Sequence, residues 1–130
     1  MANFSKITPT LPSTDIERTK NFYLNKVGLK PTDMPVPEDA VLFKVPDGSS
    51  IYFYHRGPSI ADHTQVSISV DNIEAAIDEL TAKGVTFEHY DMPNGIKTND
   101  KGIAEMGGAK SAWFKDPDGN ILALLQMPQA

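Results

Sequence analysis

The side chains best suited to acid–base or metal chemistry are few in this chain of 130 residues. The three histidines, His55, His63 and His89, are far apart in sequence, and we interpret them as solvent-facing. Glu105 and Asp100 are candidates for general acid–base catalysis, although charged loop residues are mostly solvated. The absence of cysteine excludes disulfides, thiolate nucleophiles and thiolate metal ligands. Neither a Ser/His/Asp nucleophile motif nor a glycine-rich phosphate loop is present.

Length and charge narrow the class of protein. The chain length suits one compact domain, residues 1–130. The formal net charge is −5 and the basic residues, from Lys6 to Lys115, are scattered, so no positive surface for nucleic acid is predicted. Without a signal-peptide pattern or an apolar run of about 20 residues, we expect no membrane segment and a cytoplasmic location. Small molecules or proteins are the expected partners.

An internal repeat is visible in two predicted helix starts. Residues 14–17 (TDIE) and 71–74 (DNIE) each place a capping side chain, Thr14 or Asp71, three residues before a glutamate, and they lie 57 positions apart. Each helix then ends at a glycine, Gly28 or Gly84, where a left-handed residue is expected.

Two predicted turns repeat as well. Residues 46–49 (PDGS) and 117–120 (PDGN) lie 71 positions apart, so the second copy has 14 extra residues. The polar segment 91–110 accounts for them and predicts a long loop. Loops of this length in compact domains are often lids, and Met106 beside Gly107 and Gly108 is placed to close over a ligand.

The predicted elements form two βαβββ modules, about 5–56 and 63–127. The helices are predicted near 15–27 and 72–83. Strands are predicted near 5–11, 29–33, 40–45, 51–55, 64–70, 85–90, 109–115 and 121–127.

Three segments resemble a known family. Residues 13–18 with 22–23 and 27–29 resemble its opening pattern, residues 70–85 resemble the start of its second module, and residues 114–120 (FKDPDGN) resemble its closing pattern. The chain is similar, over about residues 6–127, to the glyoxalase / bleomycin-resistance / extradiol-dioxygenase superfamily, also called the vicinal oxygen chelate superfamily. The resemblance implies an α+β fold whose two modules form a curved mixed sheet around a cavity.

The same resemblance implies four positions for metal ligands, one on each of four strands. In this chain they hold Thr8, Tyr52, Gln65 and Ala123, where relatives usually have His, Gln or Glu. Alanine has no donor atom, and threonine and neutral tyrosine are poor ligands for a divalent ion. We therefore expect no metal and no cofactor. A fourth-strand register shifted by one residue would turn His55 inward and reopen this question. His63, two residues before Gln65, could also enter the mouth of the cavity and rebuild a metal site.

Alternation along the strands predicts which side chains line the cavity. Ile7, Leu11, Ile51, Phe53, Val66 and Ile68 would face the helices. Hydroxyls, phenols and one amide would line the cavity: Thr8, Thr10, Tyr52, Tyr54, Gln65 and Ser67, with Met106, Trp113 and Ala123 completing the predicted ligand-binding set. This lining suits an uncharged or weakly polar molecule with a flat group.

These observations favour a protein that binds a small organic molecule without the usual metal, similar to the bleomycin-resistance branch. The alternatives are a glyoxalase-type lyase, isomerase or dioxygenase with a nonstandard site, and a protein-interaction module. The catalytic residues, if any, are not identified by the sequence. The unpaired edges of open sheets also predict a two-fold symmetric homodimer.

Overall fold

Each half of the chain forms a four-stranded mixed sheet with a helix against one face. The structure is a computed structural model that describes residues 3, 7–46, 48–93 and 95–128. The chain divides into two compact units, Met1–Ser59 and Ile60–Ala130. The helices and strands confirm the predicted α+β fold class.

The first unit contains four strands and one interrupted helix. Its elements are β1 (Thr10–Ser13), α1 (Ile16–Asn21), a π-helix (Phe22–Val27), β2 (Lys30–Pro31), β3 (Ala40–Lys44) and β4 (Ser50–His55). The strand order is β1-β4-β3-β2, with β1 parallel to β4 and the other neighbours antiparallel.

The second unit repeats this arrangement. Its elements are β5 (Val66–Ser69), α2 (Ile73–Ala82), β6 (Ala104–Met106), β7 (Ala109–Lys115) and β8 (Ile121–Gln126). The order is β5-β8-β7-β6, and β5 and β8 are the parallel pair. The equivalent topology in both units accounts for the repeat seen in the sequence.

The helices begin one residue later than predicted. Asp15 and Asn72, both in extended conformation, are the N-caps, and their side chains accept from Arg18 N at 3.1 Å and Ala75 N at 3.0 Å. The prediction of Thr14 and Asp71 as the capping residues was wrong, because Asp15 and Asn72, one position later, supply side-chain oxygens that accept from the amides three residues further on.

The prediction of one regular α-helix over 15–27 was wrong. The second half of the first helix is a π-helix, and the amides of Gly28 and Leu29 both donate to Tyr23 O at 2.9 Å. Phe22 and Tyr23 are both buried in it. Gly28 and Gly84 have φ of 91° and 96°, which confirms the predicted left-handed helix ends.

The first strand also differs from its predicted span of 5–11. β1 begins at Thr10 and pairs with β4 through Leu11, Pro12 and Ser13. Proline is tolerated there because β1 is an edge strand. Thr8 therefore precedes the strand. Ile7 was predicted to face the helix, but it is 91% exposed.

The predicted sixth strand, 85–90, is reduced to an isolated bridge between Phe87 and Phe114. The sixth strand is instead β6, inside the segment 91–110 that was predicted to be a loop. Gly107 and Gly108, with φ of 60° and 86°, join β6 to β7. Two consecutive positive φ angles suit a tight hairpin, and this explains why a strand could form in a glycine-rich segment.

Candidate ligand-binding site

The two faces of β4 have different environments. Phe53 is fully buried on the helix side, with its ring centroid 4.5 Å from that of Tyr23. Tyr52 and Tyr54 point to the opposite face, where their rings stack with centroids 6.3 Å apart and planes 16° apart. This is the register that alternation predicts for β4. His55, at the end of β4, is on the Phe53 side by the same alternation and is exposed.

The strand pairing places further side chains beside the two tyrosines. Thr10 and Leu42 are the register partners of Tyr52, and Pro12 is the β1 partner of Tyr54. Tyr54 is 39% exposed and Thr10 is also exposed, so this face of the first sheet is accessible. Thr8 is half-buried before β1, and its carbonyl accepts a hydrogen bond from Thr10 Oγ1 at 3.2 Å.

Arg56 extends this face by one more position. Its amide donates to Ser13 O at 3.0 Å, so the pairing with β1 continues past the end of β4. Its guanidinium carbon lies 5.9 Å from the centroid of the Tyr54 ring. Sequence reasoning missed Arg56, although it continues the alternation of Tyr52 and Tyr54.

On the second sheet, Ser67, Ala123 and Trp113 form one row across β5, β8 and β7. Ser67 is exposed, whereas Trp113 is 7% exposed and Ala123 is buried. Ala104, Trp113, Ile121 and Ala123 form a hydrophobic cluster against which Tyr90 and Ile96 pack. This packing explains why β8 is apolar on both faces.

Tyr90 and Ile96 belong to residues 88–93 and 95–103, which we name the covering segment. The ring of Tyr90 meets Trp113 edge to face at a centroid distance of 5.4 Å. Burial raises the pKa of the Tyr90 hydroxyl above its usual value, and the nearby carboxylate of Glu88 raises this pKa further. Sequence reasoning missed both apolar residues, because they lie in a polar segment.

The covering segment has its own hydrogen bonds. Tyr90 N donates to Thr98 Oγ1 at 2.8 Å and Thr98 N donates to Tyr90 O at 2.9 Å. Asn99 Oδ1 accepts from the amides of Lys101 and Ile103 at 2.9 and 3.0 Å. The Lys101 ammonium lies 2.9 Å from Asp78 Oδ1 on α2. The segment is thus an ordered turn structure and not an open loop.

Gln65 forms hydrogen bonds with residues 120–121, at the end of the turn between β7 and β8; we name residues 114–120 the closing motif of the second unit. Its Oε1 accepts from Ile121 N at 3.0 Å and its Nε2 donates to Asn120 Oδ1 at 3.4 Å. Asn120 Nδ2 in turn donates to Asp116 Oδ2 at 2.7 Å, and Asp116 Oδ1 accepts from the amides of Asp118 and Asn120. The acidic and amide residues of this turn are buried and shape the β7–β8 connection.

The four positions implied for metal ligands do not fit a divalent metal. The oxygen of Gln65 already accepts a backbone hydrogen bond, and Ala123 is buried without a donor atom. Within the described ranges, no group of three or more His, Cys, Asp or Glu side chains is close enough to hold a metal ion. The hydroxyls of Thr8 and Tyr52 are weak ligands for such an ion.

The other candidate residues lie apart from the sheet faces. His63 Nδ1 is 3.0 Å from Asp62 Oδ1, and this hydrogen bond lowers the pKa of the exposed Asp62 carboxyl. His89 and Asp100 border an open depression of about 390 Å³ on the covering segment. Glu105 is exposed on β6.

Met106 and Trp113 lie on different parts of the second sheet. Met106 pairs with Ala109 at the hairpin end of β6 and is 43% exposed. The indole nitrogen of Trp113 donates to Thr64 Oγ1 at 2.9 Å. The positions of Met106 and Trp113 therefore do not place them in one cluster.

Comparison with solved structures shows the same fold over almost the whole chain. TnmS3, an antibiotic binding protein from Streptomyces sp. CB03234, has a TM-score of 0.73 and 22% identity, covering 99% of both chains. A glyoxalase/bleomycin resistance protein/dioxygenase superfamily member from Sphaerobacter thermophilus DSM 20745 has a TM-score of 0.71 and 23% identity, covering 95% of this chain and 98% of its own.

A third structure, a glyoxalase/bleomycin resistance protein from Streptomyces sp. CB03234, has a TM-score of 0.67 and 21% identity, covering 92% of this chain and 98% of its own. No curated protein matches the chain. Across the described part of the chain, no helix has the length and apolar character to span a membrane. The family model for the superfamily matches residues 6–124. The chain therefore belongs to the Glyoxalase/Bleomycin resistance protein/Dioxygenase superfamily.

Proposed function

We propose that this protein binds a small organic molecule with a flat group and sequesters it without chemical conversion. The observation that carries the proposal is the accessible face of the first sheet, where the exposed ring of Tyr54 stacks with the half-buried ring of Tyr52. Aromatic faces beside a few hydroxyls are typical of sites that gain affinity from apolar contact and orientation from polar groups. The name of one structural neighbour, an antibiotic binding protein, supports the same class of activity.

The chemistry of the family's metal positions supports binding over turnover. Thr8, Tyr52, Gln65 and Ala123 replace the side chains that would hold a Lewis acid in metal-binding relatives. We therefore propose that the protein acts without a divalent metal, and that Thr8 and Thr10 of the first unit join the two tyrosines in binding the ligand.

Two substitutions on β4 test the binding face. Tyr52→Ala should weaken binding of antibiotics that contain a flat aromatic group, measured by calorimetry across a panel that includes bleomycin, while the thermal midpoint changes little. Phe53→Ala is the matched control on the opposite face, and it should destabilise the fold by about 3–5 kcal/mol because its ring is buried. No binding by any panel member, or equal binding by wild type and Tyr52→Ala, would contradict the proposal.

Elemental analysis of protein purified without chelators tests the metal proposal. We expect less than one Zn, Ni, Mn or Fe per ten chains. One tightly held transition metal per chain, lost in Gln65→Ala, would contradict it and would favour the enzymatic alternative. Consumption of a bound panel compound, followed by mass spectrometry, would likewise contradict sequestration.

A further inference from the structure

The row of side chains formed by Tyr52, Tyr54 and Arg56 combines two kinds of recognition. The three residues alternate along one strand and its extension, so their side chains follow one another on the same face. The planes of the two tyrosine rings are nearly parallel, and the Arg56 guanidinium lies over the Tyr54 ring. A flat ring placed along this row meets aromatic surface at one end and a fixed positive charge at the other.

Arg56 is available to such a ligand. Its guanidinium forms no ion pair with any carboxylate in the part of the chain that the structure describes, and the residue is exposed. Contact with the Tyr54 ring limits its orientations while leaving N–H donors in the guanidinium plane for a partner. A planar carboxylate matches this fork with two parallel hydrogen bonds, which a hydroxyl or neutral amide does not reproduce.

We infer that the ligand of the first sheet is a flat aromatic molecule bearing a carboxylate, with its ring against Tyr54 and its anionic group on Arg56. This inference rests on the proposed binding function and departs from the uncharged ligand that the sequence suggested. The net charge of −5 gives this chain no non-specific attraction for anions. Selectivity for an anion must then come from a local cation.

The test compares two probes that share a ring system and differ in charge, 2-naphthoate and 2-naphthamide. Dissociation constants are measured by NMR titration at low salt, following the resonances of Tyr52, Tyr54 and Arg56. The wild type should bind naphthoate about five- to tenfold more tightly than naphthamide. Added NaCl at about 0.5 M should reduce this preference, because exposed charges are screened.

Two variants separate the roles of charge and ring. Arg56→Gln should abolish the preference for naphthoate and leave the affinity for naphthamide unchanged. Tyr54→Leu should weaken both probes about three- to tenfold. Lys26→Gln is the matched control, because it removes one positive charge from the π-helix, which packs through Tyr23 on the other face of the sheet.

The outcomes distinguish a wrong ligand class from a wrong proposed function. Equal binding of both probes at Tyr54, or a preference that persists in Arg56→Gln, overturns the assignment of an aromatic carboxylate and leaves small-molecule binding standing. If neither probe shifts Tyr52 or Tyr54, the assignment is also overturned. A simultaneous failure of the antibiotic panel then overturns the proposed function itself.

Discussion

The closing motif of the second unit is a buried hydrogen-bond network. Asn120 is fully buried and contacts both the carboxylate of Asp116 and the amide of Gln65. The sequence indicated a turn at this position through its proline and glycine, and Gly119 does have a φ of 86°. The hydrogen bonds of the flanking Asp and Asn side chains are important because these residues are buried, and turn propensity does not predict burial.

Replacing Asn120 should therefore destabilise the protein strongly. Asn120→Ala leaves a buried carboxylate oxygen and a glutamine amide without this partner, which should cost about 2–3 kcal/mol. Urea unfolding measures the loss. The control is Asn25→Ala, which removes an exposed side chain bonded to Asn21 and should change stability by less than about 0.5 kcal/mol. Equal effects of the two substitutions would show that the network contributes little.

The raised pKa of Tyr90 makes a pH-dependent prediction. The folded protein holds the phenol proton more tightly than the unfolded chain, whose tyrosines titrate near about pH 10. The resulting stability is fully present below about pH 10 and is lost as pH rises through the higher folded pKa. The fall in Tm between pH 9 and pH 11 should therefore be smaller in Tyr90→Phe than in the wild type. Identical falls would contradict the assignment.

Among the elements, the covering segment contains two glycines, Gly95 and Gly102, that have positive φ angles and different surroundings. Gly102 has a φ of 88°, and a Cβ added there would lie 3.1 Å from Glu88 O and 3.5 Å from Phe87 Cβ. Gly95 has a similar φ of 99° with nothing within 4 Å of an added Cβ. A substitution by alanine therefore carries the same conformational cost from the positive φ at both positions, but only at Gly102 does the added Cβ contact neighbouring atoms.

This difference defines a matched pair of variants. Gly95→Ala should cost about 1–2 kcal/mol from its left-handed backbone alone. Gly102→Ala should cost about 1–3 kcal/mol more, because its methyl group displaces the neighbouring backbone. Trp113 is the only tryptophan, so a red shift of its fluorescence in Gly102→Ala, absent in Gly95→Ala, would show that the covering segment has lifted. Matching spectra would contradict this coupling.

The sequence predicted the type of most elements correctly. Its errors concern elements whose bounds are determined by tertiary contacts. Helix ends and turns carry local signals, and Gly28, Gly84 and Gly119 have the positive φ expected of them. The sixth strand is harder to predict, because β6 is three residues long and is fixed by its hairpin with β7 through Gly107 and Gly108. The shift of β1 has a similar origin, since its register is set by pairing with β4.

The faces of the strand that carries the proposed site were predictable from alternation. Alternation along β4 places Tyr52 and Tyr54 on one face and Phe53 on the other, as the structure has them. It does not predict that Tyr90 packs on Trp113, because that contact joins residues 23 positions apart through an irregular segment. Long-range packing of loops follows from the whole chain and not from any local period.

At the scale of the whole molecule, we expect a homodimer. The two sheets end in strands β1, β2, β5 and β6, whose outer edges have no strand partner among the described residues. Such edges are commonly covered by a second chain, and a two-fold arrangement satisfies equivalent edges at once. Light scattering at micromolar concentration should give twice the chain mass of 14.2 kDa. A mass of one chain would contradict the expectation.

The order of strands has a consequence for the nascent chain on the ribosome. All four strands of the first sheet are complete once residue 55 has been made. In the second sheet, β8 lies between β5 and β7, yet it is the last strand to be synthesised. More than 50 residues are therefore synthesised between β5 and its parallel partner, Ile121–Gln126. Synthesis thus allows the first unit to fold early, while β5 and β7 of the second unit lack the strand that lies between them until Ile121–Gln126 has left the exit tunnel.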